Sequence, residues 1–315
     1  MISRQVEILN AVFTPMHADG AINLARIPDM FTQFLGTGSN GVFVNGTTGE
    51  CMSLSTQERL QLVEAWIACR KANPRHDVKI FVHVGSCNLF ESAEMARHAQ
   101  DNGADGIAMV SPFYFKPKSV EELVSQCQYV AASAPETPFY YYNIPSLTGV
   151  NFPLLDIIEL AAQRIPTFAG LKNSFNDTVD YQHCLHFARK RYTLYWGTDE
   201  AFMMLFAAGN RHYVGSTFNY MSSYYGNMLR ANQKGDLETV NSLQAEADGI
   251  YSILNEYNGI IAGKELMRFI GVDCGPVRLP LRALTRSESE SMQKKLGLTT
   301  FFQQMVKKNE AITLQ

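Results

Sequence analysis

The chain has no long apolar run, no cluster of cysteines and no concentration of charge of either sign. None of its 315 residues belongs to a stretch approaching the roughly 20 apolar residues that span a bilayer, and no basic segment precedes an apolar one at the N-terminus. Neither a membrane partner nor a secretory leader is therefore expected. The six cysteines, at 51, 69, 87, 127, 184 and 274, are widely spaced without a Cys-x-x-Cys. In a chain this rich in core residues they read as reduced thiols and make the cytoplasm the expected location. Lys and Arg number 27 against 30 Asp and Glu, a net charge of −3, and basic residues gather no further than pairs such as Lys307-Lys308. A nucleic-acid partner is not expected of such a balance. Histidine is sparse too: His183 and His186 sit at i, i+3 inside a helical pattern, and His83 falls within an apolar run and reads as a satisfied core residue, so no metal site is expected.

What is present is a recurring alternation. Short runs rich in β-branched and aromatic residues occupy 8–14, 41–45, 79–84, 106–111, 138–143, 167–172, 192–196 and 212–216. Patterns apolar at i, i+3 and i+4 separate them, as at 56–71 and 90–102, and Ser55-Thr56-Gln57-Glu58 has the form of a capping box that starts the second helix. Near-continuous apolar strands alternating with helices imply a parallel sheet covered on both faces. Eight such units predict an α/β fold, a (β/α)8 TIM barrel over 1–235, followed by a C-terminal helical segment over 236–315 with helices at 237–257, 262–270 and 287–309. That segment is expected to pack against the barrel or a neighbouring subunit. An open doubly wound sheet is the competing topology. Its one signal, Gly36-Thr37-Gly38-Ser39-Asn40-Gly41, follows a helix and leads into a strand, the reverse of a dinucleotide-binding fingerprint, so it reads as a helix C-cap and turn. Asp105, ahead of strand four, falls at the barrel bottom and reads as structural.

In such barrels chemistry sits where the strands end. Strand six, Phe168-Ala169-Gly170-Leu171-Lys172, places one lysine at the end of a buried run. Such a lysine either reaches water or serves as an amine nucleophile toward a carbonyl. Strand two ends in Gly46-Thr47-Thr48-Gly49-Glu50, whose glycines and hydroxyls, leading to a helix start, suit an anion such as a keto acid's carboxylate. Strand four ends in Ser111-Pro112-Phe113-Tyr114 and strand five in Tyr142-Asn143-Ile144-Pro145. Strands seven and eight end in Gly197-Thr198-Asp199-Glu200 and Gly215-Ser216-Thr217. Together these are the parts of an imine-forming aldolase.

These motifs, with Gly149, Gly170-Leu171-Lys172 and the tail run Gly275-Pro276-Val277-Arg278-Leu279-Pro280-Leu281, resemble the N-acetylneuraminate lyase/dihydrodipicolinate synthase family of class I aldolases over nearly the whole chain. The resemblance implies that Lys172 forms the Schiff base with no cofactor, that Tyr142 is the phenol beside it, and that Thr47 and Thr48 bind the carboxylate and relay protons. Serine is frequent in lyases where Thr47 stands. It implies a homotetramer in which Tyr114 enters a neighbouring subunit's site. Two places bear on the branch. Where synthases carry an arginine for a dicarboxylic partner stands Leu147, which cannot pair with a second carboxylate. Gly197, Asp199 and Glu200 match the Gly-x-Asp-Glu of the lyases, and carboxylates accept hydrogen bonds from sugar hydroxyls. Ser174 and Ser216 complete the implied substrate contacts. The expected reaction is reversible cleavage of N-acetylneuraminate to N-acetylmannosamine and pyruvate. The alternatives are a 2-keto-3-deoxy sugar acid aldolase, another pyruvate-dependent lyase or dehydratase, or a catalytically silent barrel that binds a keto acid.

Overall fold

The computed structural model describes residues 6–188 and 191–304. Eight parallel strands close in chain order: β1 (Glu7–Ala11), β2 (Gly41–Val44), β3 (Lys79–His83), β4 (Gly106–Val110), β5 (Phe139–Asn143), β6 (Phe168–Asn173), β7 (Thr193–Trp196) and β8 (His212–Gly215), with β8 pairing back onto β1. Every expected strand is present. The first run overshoots: β1 stops at Ala11, while Val12, Phe13 and Thr14 are buried in the following loop, where their side chains pack rather than extend the ladder.

The helices wrapped around the barrel are α1 (Ile27–Thr37), α2 (Thr56–Ala72), α3 (Leu89–Asp101), α4 (Val120–Ala131), α5 (Pro145–Thr148), α6 (Leu154–Arg164), α7 (Thr178–Ala188), α8 (Phe202–Ala207) and α9 (Phe218–Gln233). The capping box is formed: Glu58 N donates to Ser55 Oγ at 3.2 Å, and Ser55 N donates to the Glu58 carboxylate at 2.8 Å. The glycine-rich run ends α1 as expected, with Gly38 left-handed at φ +74°.

Because side chains alternate along a strand, the sheet feeds two cores. Leu9, Ala11, Phe43, Phe81, Tyr140 and Tyr195 fill the barrel interior. Ile8, Val42, Ile80, Ile107, Tyr141 and Leu171 point outward into the layer shared with the helices. The lower interior is polar: Glu7 accepts from Tyr195 Oη at 2.5 Å and from Lys79 Nζ at 2.7 Å. Asp105 holds the same end, accepting from Arg70 Nη1 at 2.6 Å and Ile80 N at 2.7 Å.

The tail forms α10 (Leu237–Glu256), α11 (Gly259–Phe269) and α12 (Arg286–Gly297), with α10 packed along α9. The continuous helix expected at 287–309 is interrupted. It ends at Gly297, turns at Leu298 and Thr299, and helix resumes at 300–304; the remainder of that expected helix, with Lys307-Lys308, lies outside the described residues. Among the described residues no helix is long and apolar enough to cross a membrane.

Candidate active site

The carboxyl ends of the strands surround a cavity of about 230 Å³, and Lys172 lies in its wall. The pairing of β5 with β6 sets Lys172 directly beside Tyr142. Lys172 is 5 % exposed, and its Nζ rests 4.1 Å from the Tyr142 ring centroid and 4.3 Å from that of Phe43. Among the described residues it has neither a hydrogen-bond nor an ion-pair partner. The amine is therefore held by aromatic faces, with its nitrogen free to meet a ligand. Tyr142 Oη lies 3.2 Å from Thr47 Oγ1, and Thr47 and Thr48 both line the cavity.

The loop carrying these threonines departs from expectation in one respect. It does not open a helix: Cys51–Ser53 form a single 3-10 turn, and α2 begins only at Thr56, its end closed by its own capping box. A helix dipole thus contributes nothing to the cradle, which rests on hydroxyls and turn amides. What fixes the loop is its last residue. Glu50, left-handed at φ +59° and buried, accepts from Lys264 Nζ at 2.8 Å and from Arg278 N at 2.8 Å, both in the tail.

Below Lys172 and Tyr142 lies His83, fully buried, its ring edge-on to Tyr142 at 5.7 Å between centroids. Burial, reinforced by the Arg59 guanidinium, pushes its pKa well below the ordinary histidine value, so it is neutral. Its Nδ1 meets the Asn45 carbonyl at 2.9 Å, yet Nε2 has no partner among the described residues, so this core histidine is only half satisfied.

The opposite lip comes from β6, β7 and β8. Ser174 follows β6 and donates through Oγ to the Gly197 carbonyl at 3.3 Å. A Cβ on Gly197 would stand 2.3 Å from Ser174 Oγ and 3.2 Å from Lys172 Cε, so a side chain there would displace the Ser174 hydroxyl and crowd the lysine. Asp199 is 7 % exposed and accepts through Oδ2 from Thr217 N at 2.9 Å and Thr217 Oγ1 at 2.7 Å, while Oδ1 has no partner. Burial pushes its pKa up to about 6; the two Thr217 bonds pull down, the neighbouring Glu200 pushes up and Lys172 pulls down. Glu200, exposed, and Ser216 complete this lip. The cavity thus offers one amine on one side and two carboxyls on the other.

Of the eleven residues singled out in the sequence, Lys172, Tyr142, Thr47, Thr48, Ser174, Gly197, Asp199, Glu200 and Ser216 line this one cavity. Leu147, on α5, does not line it and is 62 % exposed. Tyr114 is 77 % exposed, stacked edge-on against Phe115 at 5.0 Å, and lies outside the cavity. His183 and His186 lie on α7, and among the described residues no three His, Cys, Asp or Glu side chains gather as metal ligands would. The wall supplied by the tail leaves no mark in the sequence pattern: Tyr251, Leu254, Asn255 and Gly259 line the cavity from α10 and the start of α11. Tyr220, on α9, was missed as well.

Residues 4–298 match the dihydrodipicolinate synthetase family. The N-acetylneuraminate lyase of Rattus norvegicus is 37 % identical over 299 residues, covering 93 % of this chain and 92 % of the rat protein. Among solved structures, the N-acetylneuraminate lyase of Proteus mirabilis superposes with a TM-score of 0.90 at 31 % identity, over 95 % of this chain and all of that one. A catalytic lysine mutant of the Ruminococcus gnavus sialic acid aldolase gives a TM-score of 0.87 at 25 % identity, over 98 % and 99 %.

Proposed function

Starting from the premise that the chain belongs to the dihydrodipicolinate synthetase family, we propose that it is a carbon-carbon lyase, an aldolase that cleaves N-acetylneuraminate reversibly to N-acetylmannosamine and pyruvate. The observation that carries this reading is the placement of Lys172 beside Tyr142, with the Thr47 hydroxyl on the phenol and Asp199 and Glu200 across the cavity.

The Lys172 amine attacks the C2 ketone of the open-chain sugar acid, and loss of water leaves an iminium that draws electrons from C3. The C4 hydroxyl gives up its proton, the C3–C4 bond breaks, and N-acetylmannosamine departs as the aldehyde. The enamine left on Lys172 takes a proton at C3, and water hydrolyses the imine to pyruvate. Tyr142 moves these protons, a role that its hydrogen bond with Thr47 supports. Thr47 and Thr48 hold the carboxylate of the keto acid. Asp199, Glu200, Ser174 and Ser216 take the hydroxyls of the sugar, with Gly197 leaving room for them. Leu147, outside this cavity, brings no positive charge of the kind a dicarboxylic substrate would need. The reaction calls for no cofactor, because the imine is the electron sink.

The barrel supplies the chemistry, and the helical segment after it closes the cavity through Tyr251, Leu254, Asn255 and Gly259. The exposed pair Tyr114 and Phe115 supports a homotetramer in which Tyr114 reaches a neighbour's site. Six free cysteines support a cytoplasmic setting.

The test is chemical trapping. Borohydride added with pyruvate should reduce the imine to a stable adduct that mass spectrometry maps to Lys172, and N-acetylneuraminate should turn over in preference to 2-keto-3-deoxygluconate. Folded protein that gains no adduct at Lys172 would sink the reading.

A further inference from the structure

Behind the carboxylate lip, four polar groups are hydrogen-bonded in series, and one of them touches nothing in the cavity. The Thr217 hydroxyl donates to Asp199 Oδ2 at 2.7 Å. Thr217 Oγ1 lies 2.5 Å from Tyr225 Oη, and Tyr225 Oη lies 2.5 Å from Tyr251 Oη. Asp199, Thr217 and Tyr251 line the cavity. Tyr225, on α9, is wholly buried behind them and packed between Phe202 and Phe218 at centroid distances of 4.8 and 4.6 Å.

Counting protons gives the series a direction. Each hydroxyl has one hydrogen to donate and two lone pairs. The Thr217 proton goes to the Asp199 carboxylate, so Tyr225 must donate to Thr217, and Tyr251 must donate to Tyr225. The charge on Asp199 therefore orients every hydroxyl behind it. Two features of the cavity follow. Asp199 Oδ2 is fully engaged, by Thr217 N as well as Thr217 Oγ1, while Oδ1 is buried without a partner among the described residues and packed against Gly215, where a Cβ would stand 1.6 Å from it. The Tyr251 oxygen, its hydrogen committed inward, has only lone pairs left for the cavity. An oxygen left with lone pairs alone favours a ligand that brings hydroxyl donors.

The Tyr225 hydroxyl is bonded on both sides, to Thr217 and to Tyr251, which offsets the cost of burying it inside an aromatic cluster. The oxygen is useful there because it fixes which lone pair Thr217 offers and hence where the Thr217 proton points.

Resting on the aldolase reading above, we propose that Tyr225 is a positioning residue that acts through Thr217 to hold the Asp199 carboxylate in place in the cavity wall that takes the sugar half of the substrate. It touches neither substrate nor the reacting atoms, and the keto-acid half of the site should not depend on it.

Tyr225→Phe removes one oxygen and keeps the shape. With N-acetylneuraminate, KM is expected to rise about 10-fold, the size of one hydrogen bond reaching a charged group, while kcat stays within about 2-fold. The pyruvate concentration that half-saturates borohydride trapping at Lys172 should not change. Thr217→Val should raise KM at least as much, whereas Thr217→Ser, which keeps the hydroxyl, should restore the wild-type value. An unchanged KM in both Tyr225→Phe and Thr217→Val overturns the proposal. So does a parallel loss of pyruvate trapping, which would mark a general structural defect. If Tyr225→Phe does not fold, the Thr217→Val and Thr217→Ser pair decides by the same criterion. Wild-type protein that traps no pyruvate overturns the aldolase reading itself, an outcome distinct from a failure at Tyr225.

Discussion

Asp199 allows the cost of the site to be worked out in stability. Its carboxyl is 7 % exposed and titrates near 6, against an ordinary 3.8. Raising a carboxyl from 3.8 to about 6 costs about 3 kcal/mol of stability once it is ionised. The sign follows from where each state holds its proton. Below about pH 4 the folded and unfolded chains both carry it. Between about 4 and 6 the unfolded chain releases it while the folded protein keeps it, so stability falls as pH rises. Above 6 both are ionised and the full cost stands. Asp199→Asn replaces the carboxylate with a neutral group of the same shape that still accepts both Thr217 bonds. The variant should be more stable than wild type by about 2–3 kcal/mol at pH 8, with the difference vanishing near pH 4. Urea unfolding at several pH values and matched protein concentration measures this. A stability difference independent of pH, or an Asn variant weaker at pH 8, would refute the argument. The same variant should bind N-acetylneuraminate poorly, because the amide has one acceptor oxygen and no charge where the carboxylate has two oxygens and a charge.

Two further substitutions probe the geometry around this residue and around the loop. A Cβ on Gly215 would lie 1.6 Å from Asp199 Oδ1, so Gly215→Ala must move the carboxylate; kcat/KM for N-acetylneuraminate should drop about 100-fold, and near-normal turnover would show that the carboxylate position is unimportant. Lys264→Met strands the buried Glu50 charge and should cost about 3–5 kcal/mol in urea unfolding, with much of the loss recovered in the Lys264→Met/Glu50→Gln double variant; a single-variant cost below about 1 kcal/mol would show the pair to be solvated.

Much of this was legible in the sequence, and the reasons differ by element. Strand positions stood out because a sheet buried on both faces needs uninterrupted apolar runs, and eight of them fix where each strand ends. That placed Lys172 beside Tyr142 and gathered nine of the chosen residues in one cavity. The helix-dipole expectation for the Gly46–Glu50 loop failed because a loop followed by a helical pattern looks the same whether or not a 3-10 turn intervenes. The contribution of α10 was invisible for a different reason. Helical periodicity reports that a face is buried without saying against what, and Tyr251 looks like any core tyrosine until the fold carries it across the barrel mouth. Leu147 and Tyr114 are exposed and do not line the cavity of their own chain, because a position just past a strand end does not fix where the following loop carries it.

The tail is tied to the site at two points, and the chemistry of each explains why it follows the barrel so closely. At the lip, α10 supplies the Tyr251 wall and the last phenol of the series that ends on Asp199. At the loop, Glu50 is locked by Lys264 of α11 and by the Arg278 backbone, while the Arg278 guanidinium pairs with Glu58 at 2.7 Å, donates to the Ser53 carbonyl at 2.9 Å and reaches the Gly20 carbonyl at 2.9 Å. Glu50 stands in a left-handed conformation that is unfavourable for a residue with a Cβ, and its carboxylate is taken out of water. Both costs are tolerable only while the tail is docked. Undocking it would release the Thr47-Thr48 loop and open the Asp199 wall together, so the two halves of the substrate site should form and melt as one cooperative unit.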